Sequence, residues 1–251
     1  MTVKTIRKLC LLCALMLVSA LLLAGCVKGS SEQEKAGKKL MREYLAESGS
    51  KAKLTEVYAE VLRPDASTLV LSDYVKGTFK DGENEYEFAV NVVTGEIYTS
   101  EQHQTFSDSC VRLVCERLGL EPSDCVGVGE LWMEVPSWQE PREEWPYQWS
   151  YLGNVLPVGI TDMDAYAAQL FADEDIQVAV HIVCRNTELS EERWSLADTA
   201  GWHATGVRLY KLGDASAELP AQEELNWSWF GAFTGEILNL TTESITFVPA
   251  K

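Results

Sequence analysis

The first 25 residues decide which part of this 251-residue chain is available for folding. They contain no acid and three cations, Lys4, Arg7 and Lys8, and they continue as an apolar run over 9–23 that only Ser19 interrupts. The run is shorter than the roughly 20 residues that a membrane-spanning helix needs, and small residues follow it, which is typical of a cleavable export signal. We therefore predict that residues 1–25 are a signal peptide and that the fold begins after them.

The end of this leader reads Leu-Ala-Gly-Cys over 23–26 and resembles the lipobox of bacterial lipoproteins. The resemblance implies that the Cys26 thiol carries a diacylglycerol, that cleavage occurs before it, and that 226 of the 251 residues remain on the outer face of the bacterial cytoplasmic membrane. Two or more acyl chains anchor a protein stably, at about 0.8 kcal/mol per buried CH₂. The alternative is an uncleaved membrane helix with an incidental cysteine.

The composition indicates an acidic globular protein. Apolar residues make up 46% and charged residues 24% of the chain, which excludes wholesale disorder. The formal charge is -17, and the signal peptide holds three of the cations, so the exported part is more acidic still. This charge balance argues against a nucleic acid as a partner, because phosphate binding needs a clustered basic surface.

The exported part begins with a polar tether over 26–36 and a unit over 37–101. Periodic apolar positions predict a helix over 32–48. Strand-like patterns follow at 54–62, 68–79, 85–93 and 96–99. Asp81-Gly82 and Thr94-Gly95 supply turn chemistry between strands. These elements predict an α+β unit in which one helix packs on an antiparallel meander.

One motif in this unit carries a family resemblance. Residues 86–98 form an aromatic and Val-rich strand that runs into Thr-Gly-Glu-Ile, after a helix and two strands. Over about residues 35–100 this arrangement resembles the PepSY domain, a small module of bacterial exported proteins. The resemblance implies a non-catalytic binding or regulatory role towards an exported protease or another envelope protein.

A second unit is predicted over 102–251, also α+β and antiparallel. Ser107 is the expected N-cap and Gly119 the end of its first helix, and Thr161 with Asp164 forms a capping box for another helix over 162–172. Strand patterns lie at 126–135, 147–156, 176–184 and 206–212, and a short helix is expected after Ser190. A second Thr-Gly-Glu-Ile follows aromatic residues from 229, which indicates either a duplicated unit with a large insertion or two hairpins with the same turn residues.

The cysteines of the exported part give no metal-binding pattern. Cys110, Cys115, Cys125 and Cys184 are favoured as reduced and buried, with Cys115–Cys125 and Cys125–Cys184 as the alternative disulfides. The Cys-x-x-Cys pair within residues 10–13 falls in the signal peptide, so we expect no structural zinc.

No local pattern of catalytic residues is found. Among the three histidines, His103, His181 and His203, the second sits in an apolar strand and is expected to be structural. Gly127-Val-Gly129 lacks the third glycine of a dinucleotide fingerprint, and His-Glu-x-x-His and Gly-x-Ser-x-Gly are absent from the sequence. The carboxylate clusters are typical of a solvated acidic face. We expect no catalytic residue, no metal and no cofactor.

Tryptophan gives the candidate partner-binding residues. All eight tryptophans lie beyond residue 130, and Trp138 and Trp145 fall in a proline- and glutamate-rich loop over 136–146. Exposed aromatic rings bring a large contact area at low entropic cost, so this loop is expected to contact a partner. The alternative is that the loop folds back over the core.

These observations predict a lipid-anchored extracytoplasmic protein with a non-catalytic binding or regulatory role. One alternative is an envelope enzyme with dispersed catalytic residues, which would place His181 or His203 beside carboxylates in a cleft. Another is a small-ligand receptor of a transporter, which would show alternating strand and helix patterns.

Overall fold

The computed structural model describes residues 30–64, 68–138, 149–173, 177–185, 205–214, 216–240 and 245–249. The predicted signal peptide and Cys26 lie outside the described residues. The chain divides into two compact units. Among the described residues, the first unit comprises those from 30 to 85, those over 89–96 and those over 136–138, and the second comprises 86–88, 97–135 and those from 149 onward. The boundaries that the sequence gives for the tether and the two units stay predictions.

The described residues form an α+β fold, as the sequence predicts. The helices are α1 (Ser30–Glu47), α2 (His103–Leu118), α3 (Met163–Phe171) and α4 (Trp227–Ala232). The strands are β1 (Lys53–Leu62), β2 (Val70–Asp81), β3 (Asn84–Asn91), β4 (Ile97–Thr99), β5 (Cys125–Pro136), β6 (Trp149–Gly153), β7 (Leu156–Pro157), β8 (Gln177–Cys184), β9 (Thr205–Lys211), β10 (Glu236–Leu240) and β11 (Ile245–Pro249). They form two sheets, in the orders β1-β2-β3-β4-β7 and β11-β10-β9-β8-β5-β6.

In the first unit, helix α1 packs on the antiparallel strands β1 and β2. Met41 and Leu45 of the helix and Val75 and Phe79 of β2 are buried, which follows from the apolar spacing of α1. Gly37 lies against Val75, where a Cβ atom would approach the valine side chain to 2.6 Å. The small residue therefore lets the helix pack closely on the strand.

The two turns predicted in this part of the chain are confirmed. Gly82 has a φ of 64° between β2 and β3, and Gly95 has a φ of 82° before β4. The second turn is held by Asn91, whose side-chain Oδ1 accepts hydrogen bonds from the backbone N–H groups of Val93 and Thr94, both at 3.0 Å. Asn91, together with a glycine in the left-handed backbone conformation, thus stabilises this turn.

The six-stranded sheet of the second unit is covered on both faces. On one face, α2 and α3 contact β8, and the buried residues include Val114, Phe171, Val180 and Ile182. On the other face, Val183, Tyr210, Leu225 and Phe230 form a core cluster, in which Phe230 belongs to α4. Strand β8 is therefore buried on both sides, which explains its nearly continuous apolar sequence.

One feature of this sheet corrects the antiparallel arrangement that the sequence predicts. Strands β8 and β9 are parallel, with Val180 opposite Val207 and Ile182 opposite Leu209. Parallel neighbours need a crossover connection of a dozen or more residues. The segment between Cys184 and Thr205 is long enough to make that crossover.

Two predicted helix starts are wrong in detail. Helix α2 begins at His103, four residues before Ser107, so this serine is not the N-cap. It is buried instead, and its Oγ accepts a hydrogen bond of 2.7 Å from the N–H of Gly129. Helix α3 is capped by Asp162 rather than Thr161, because the Asp162 carboxylate accepts a hydrogen bond of 3.0 Å from the N–H of Ala165.

The aromatic run near the second Thr-Gly-Glu-Ile is also not a strand. Residues Trp227–Ala232 form a short helix that begins after Asn226, whose side chain accepts hydrogen bonds from the N–H groups of Ser228 and Trp229. Gly235 is not among the glycines with a positive φ, unlike Gly95. The second tetrapeptide therefore connects a helix to β10, whereas a hairpin was expected there.

Candidate functional site

The structure places one of the two predicted partner-binding tryptophans in the interior. Trp138 is only 6% exposed, which agrees with the alternative in which the loop folds back over the core. The reason is that the preceding residue is tied to β2, because the N–H of Asp73 donates a hydrogen bond of 2.7 Å to the carbonyl of Ser137. Trp145 lies outside the described residues.

Other aromatic side chains are exposed instead. Trp149 and Tyr151 on β6 are 52% and 48% exposed, while Ser150 and Leu152 between and after them are buried. Strand β6 ends the order of the six-stranded sheet. Because side chains alternate between the two faces of a strand, Trp149 and Tyr151 form one exposed apolar face on this terminal strand. The same alternation is visible in the sequence and could have predicted this face.

Three of the four cysteines meet at one end of β5 and β8. Cys125 and Cys184 are directly opposite each other in the antiparallel register, and a hydrogen bond joins the thiols of Cys125 and Cys115, a residue of α2. The backbone N–H of Arg185 donates a hydrogen bond of 3.0 Å to the carbonyl of Asp124, so the neighbouring pair Cys125 and Cys184 is a non-hydrogen-bonded pair. In such pairs the two Cα atoms lie closer together than in hydrogen-bonded pairs. We name these three thiols the sulfur cluster.

The four cysteines are free thiols in the structure, in agreement with the reduced state that the sequence favours. Cys125 is half-buried, whereas Cys110, Cys115 and Cys184 are buried. The hydrogen bond between Cys125 and Cys115 lowers the pKa of Cys115 and raises that of Cys125, and burial raises the latter further. Burial alone raises the pKa of Cys110. Among Cys110, Cys115 and Cys125, Cys115 is therefore the thiol most disposed to ionise.

A surface cleft of about 250 Å³ borders the sulfur cluster. Cys115 and Cys125 line it together with Asp108, Arg112 and Gln222. The Gln222 side-chain amide donates hydrogen bonds of 2.9 Å to the Asp108 carboxylate and to the carbonyl of Gly127. The polar rim is thus held in place by its own hydrogen bonds, and two thiols form part of the wall.

His181 occupies a buried strand position, as predicted. It is 3% exposed, its Nδ1 lies 3.0 Å from the Tyr210 hydroxyl, and its ring centroid is 4.7 Å from that of Phe230. Burial, assisted by the positive charge of Arg208, lowers the pKa of His181 to about 4. The imidazole is therefore neutral at physiological pH and packs as part of an aromatic cluster. His203 lies outside the described residues.

Within the described ranges, no group of three or more His, Cys, Asp or Glu side chains is placed to hold a metal ion. None of the helices in the same ranges combines the length and apolar character that crossing a bilayer requires.

Comparison with known proteins gives no relative. No family model matches the chain, and no curated protein and no solved structure matches it either. The resemblance of the first unit to the PepSY domain therefore stays a prediction that rests on residues 86–98.

Proposed function

We propose that this chain is a bacterial lipoprotein, held to the outer face of the cytoplasmic membrane by lipid on Cys26, with a non-catalytic binding or regulatory role towards an envelope protein. The observation that carries the proposal is the Leu-Ala-Gly-Cys sequence at the end of a cationic and apolar leader. An exported protease is the partner class that the PepSY-like motif favours.

A binding role is supported by the exposed aromatic residues of β6. Trp149 and Tyr151 each leave about half of their surface accessible on a strand that ends its sheet. Tyrosine and tryptophan concentrate binding energy at protein interfaces because their rings are large and have few rotatable bonds. This face takes the place of the Trp138 and Trp145 loop as the first surface to test.

The enzyme alternative is not favoured by the surroundings of His181. The histidine lies among Tyr210, Trp227 and Phe230, and the charge that influences its pKa is that of Arg208 rather than a carboxylate. A general base should be poised near neutral pH, whereas this imidazole binds a proton only in acid.

The anchor is tested by fractionation of cells that express Cys26→Ala, with a palmitate analogue as the lipid label. We expect the wild type to carry the label in the membrane fraction and the variant to carry none. Cys13→Ala is the matched control, because it removes a leader cysteine outside the lipobox and should leave labelling unchanged. Labelling of Cys26→Ala at the wild-type level would refute the anchor.

The binding role is tested by photo-crosslinking in intact cells. A crosslinking amino acid at position 149 or 151 should capture an envelope protein, and the same group at the exposed Glu223 should not. Substitution of the neighbouring ring, Trp149→Ser or Tyr151→Ser, should weaken the capture. Equal capture from all three positions, or from none, would contradict a specific surface on β6.

A further inference from the structure

Helix α1 carries a stripe of cations. Lys35, Lys38, Lys39 and Arg42 have the spacing i, i+3, i+4, i+7, which places them on one side of an α-helix. Lys35, Lys39 and Arg42 are exposed and Lys38 is half-buried. The buried residues of the helix, Gly37, Met41 and Leu45, belong to a different side. We name the four cations the basic stripe.

The charge of the basic stripe is only lightly compensated. Lys39 lies 3.8 Å from Glu43, and both side chains are largely exposed. In the part of the chain that the structure describes, no carboxylate comes within ion-pair distance of Lys35, Lys38 or Arg42. The four cations, with Glu43 and Ala46, border a shallow depression of about 330 Å³. The stripe thus offers several cationic donors to an anionic partner.

The sequence brings this stripe close to the lipid. Four residue steps separate Cys26 from Ser30, where α1 begins, and they span at most about 14 Å when fully extended. Lys35 follows about 7.5 Å further along the helix axis, at 1.5 Å per residue. Lys and Arg side chains on α1 are therefore held within reach of the headgroups if the thiol of Cys26 is acylated.

We propose that the basic stripe binds the anionic phospholipid headgroups of the membrane that holds Cys26, so that α1 lies along the bilayer surface. This inference rests on the lipid anchor proposed above. The rest of the exported chain is strongly acidic and is repelled by an anionic surface, so the stripe selects the orientation of the first unit. Each cation near such a surface strengthens the contact roughly fivefold, and salt screens it.

The test uses the mature protein as cells that express the full-length chain process it, purified in detergent and reconstituted with vesicles of phosphatidylcholine alone or of phosphatidylcholine mixed with phosphatidylglycerol. Amine acetylation followed by peptide mass spectrometry measures the reaction rates of Lys35, Lys38 and Lys39, with the exposed Lys80 of the same unit as the internal reference. We expect the three lysines to react at least about fivefold more slowly on the anionic vesicles, and about 0.5 M salt should abolish the difference.

A double variant, Lys38→Gln with Arg42→Gln, should remove most of the protection from Lys35 and Lys39, whereas Lys53→Gln, at an exposed position of β1, should leave it intact. Equal acetylation rates on the two kinds of vesicle would overturn the proposal. Flotation of the protein with the vesicles distinguishes failure of the basic stripe from failure of the lipid anchor. Flotation with both compositions but no protection refutes the stripe alone, and flotation with neither refutes the anchor on Cys26 and the orientation with it.

Discussion

The glycines of β5 give the sharpest structural prediction. Helix α2 approaches the strand so closely at Gly129 that an added Cβ atom would lie 2.8 Å from the Cβ of Cys110 and 3.3 Å from the Cα of Ser107. Backbone atoms of a packed helix cannot rotate away as a flexible side chain can. Gly129→Ala should therefore push α2 off the sheet and strain the hydrogen bond between Gly129 and Ser107.

The expected magnitude follows from two opposing effects. Overpacking of a tight core costs about 1–3 kcal/mol, while replacing glycine by alanine restricts the unfolded chain and returns about 0.4–1 kcal/mol. We expect a net loss of about 1–2 kcal/mol, which lowers the melting temperature of a chain of this size by about 2–8 °C. Gly206→Ala in β9 is the matched control, because no atom lies within 4 Å of its added Cβ.

Thermal unfolding of the mature protein, followed by circular dichroism, measures both variants. Gly206→Ala should melt at the wild-type temperature or slightly above it, and Gly129→Ala should melt clearly below. If the two variants melt together, the close packing of α2 on β5 is refuted.

Three further predictions concern the same unit. Ser107→Ala removes the buried acceptor of the Gly129 N–H and should cost about 1–3 kcal/mol in urea unfolding, and an unchanged midpoint would contradict that hydrogen bond. Because burial lowers the pKa of His181 to about 4, the unfolded chain binds this proton first, and acidification from pH 6.5 to about 4 should remove about 3 kcal/mol of stability. The free energy of unfolding should fall less steeply with acidification in His181→Asn than in the wild type. The same slope in both proteins would exclude the contribution of His181. Alkylation of the native protein should modify Cys115 before Cys110, because Cys115 lines the surface cleft and its pKa is lowered whereas burial raises the pKa of Cys110, and peptide mass spectrometry showing the reverse order would refute that ranking.

Local patterns predict the first unit well because its elements are determined by neighbouring residues. The apolar spacing of Met41 and Leu45 places helix α1, and Asn91 with Gly95 supplies a complete turn within five residues. These signals depend on side chains that are close in sequence, so no tertiary information is needed to interpret them.

The errors arise where a distant contact decides the outcome. Ser107 has the chemistry of an N-cap, but burial of its hydroxyl against Gly129 places it inside the helix. The exception is local: Asn226 caps a short helix over 227–232, where the aromatic residues before the second Thr-Gly-Glu-Ile were expected to lead into a hairpin. The parallel pairing of β8 with β9 depends on strand order, which hydrophobic patterns do not encode.

The same division applies to the candidate site. The sequence suggested a Cys125–Cys184 disulfide as one alternative to reduced cysteines. In the structure these two residues lie opposite each other on neighbouring strands, and both are free thiols. The cleft beside Cys115 could not be predicted, because Gln222 reaches it from more than ninety residues away. The exposed face of Trp149 and Tyr151 had a sequence signal in its alternation, but nothing in the sequence placed β6 at the end of its sheet.

The lipid anchor depends on the covalent state of one sulfur atom, which mass spectrometry of the amino-terminal peptide reports when the protein is purified from its native membrane. We expect a peptide that begins at Cys26 and carries the mass of a diacylglycerol on its thiol. A peptide that begins at Met1, or a Cys26 without lipid, would contradict the lipid anchor.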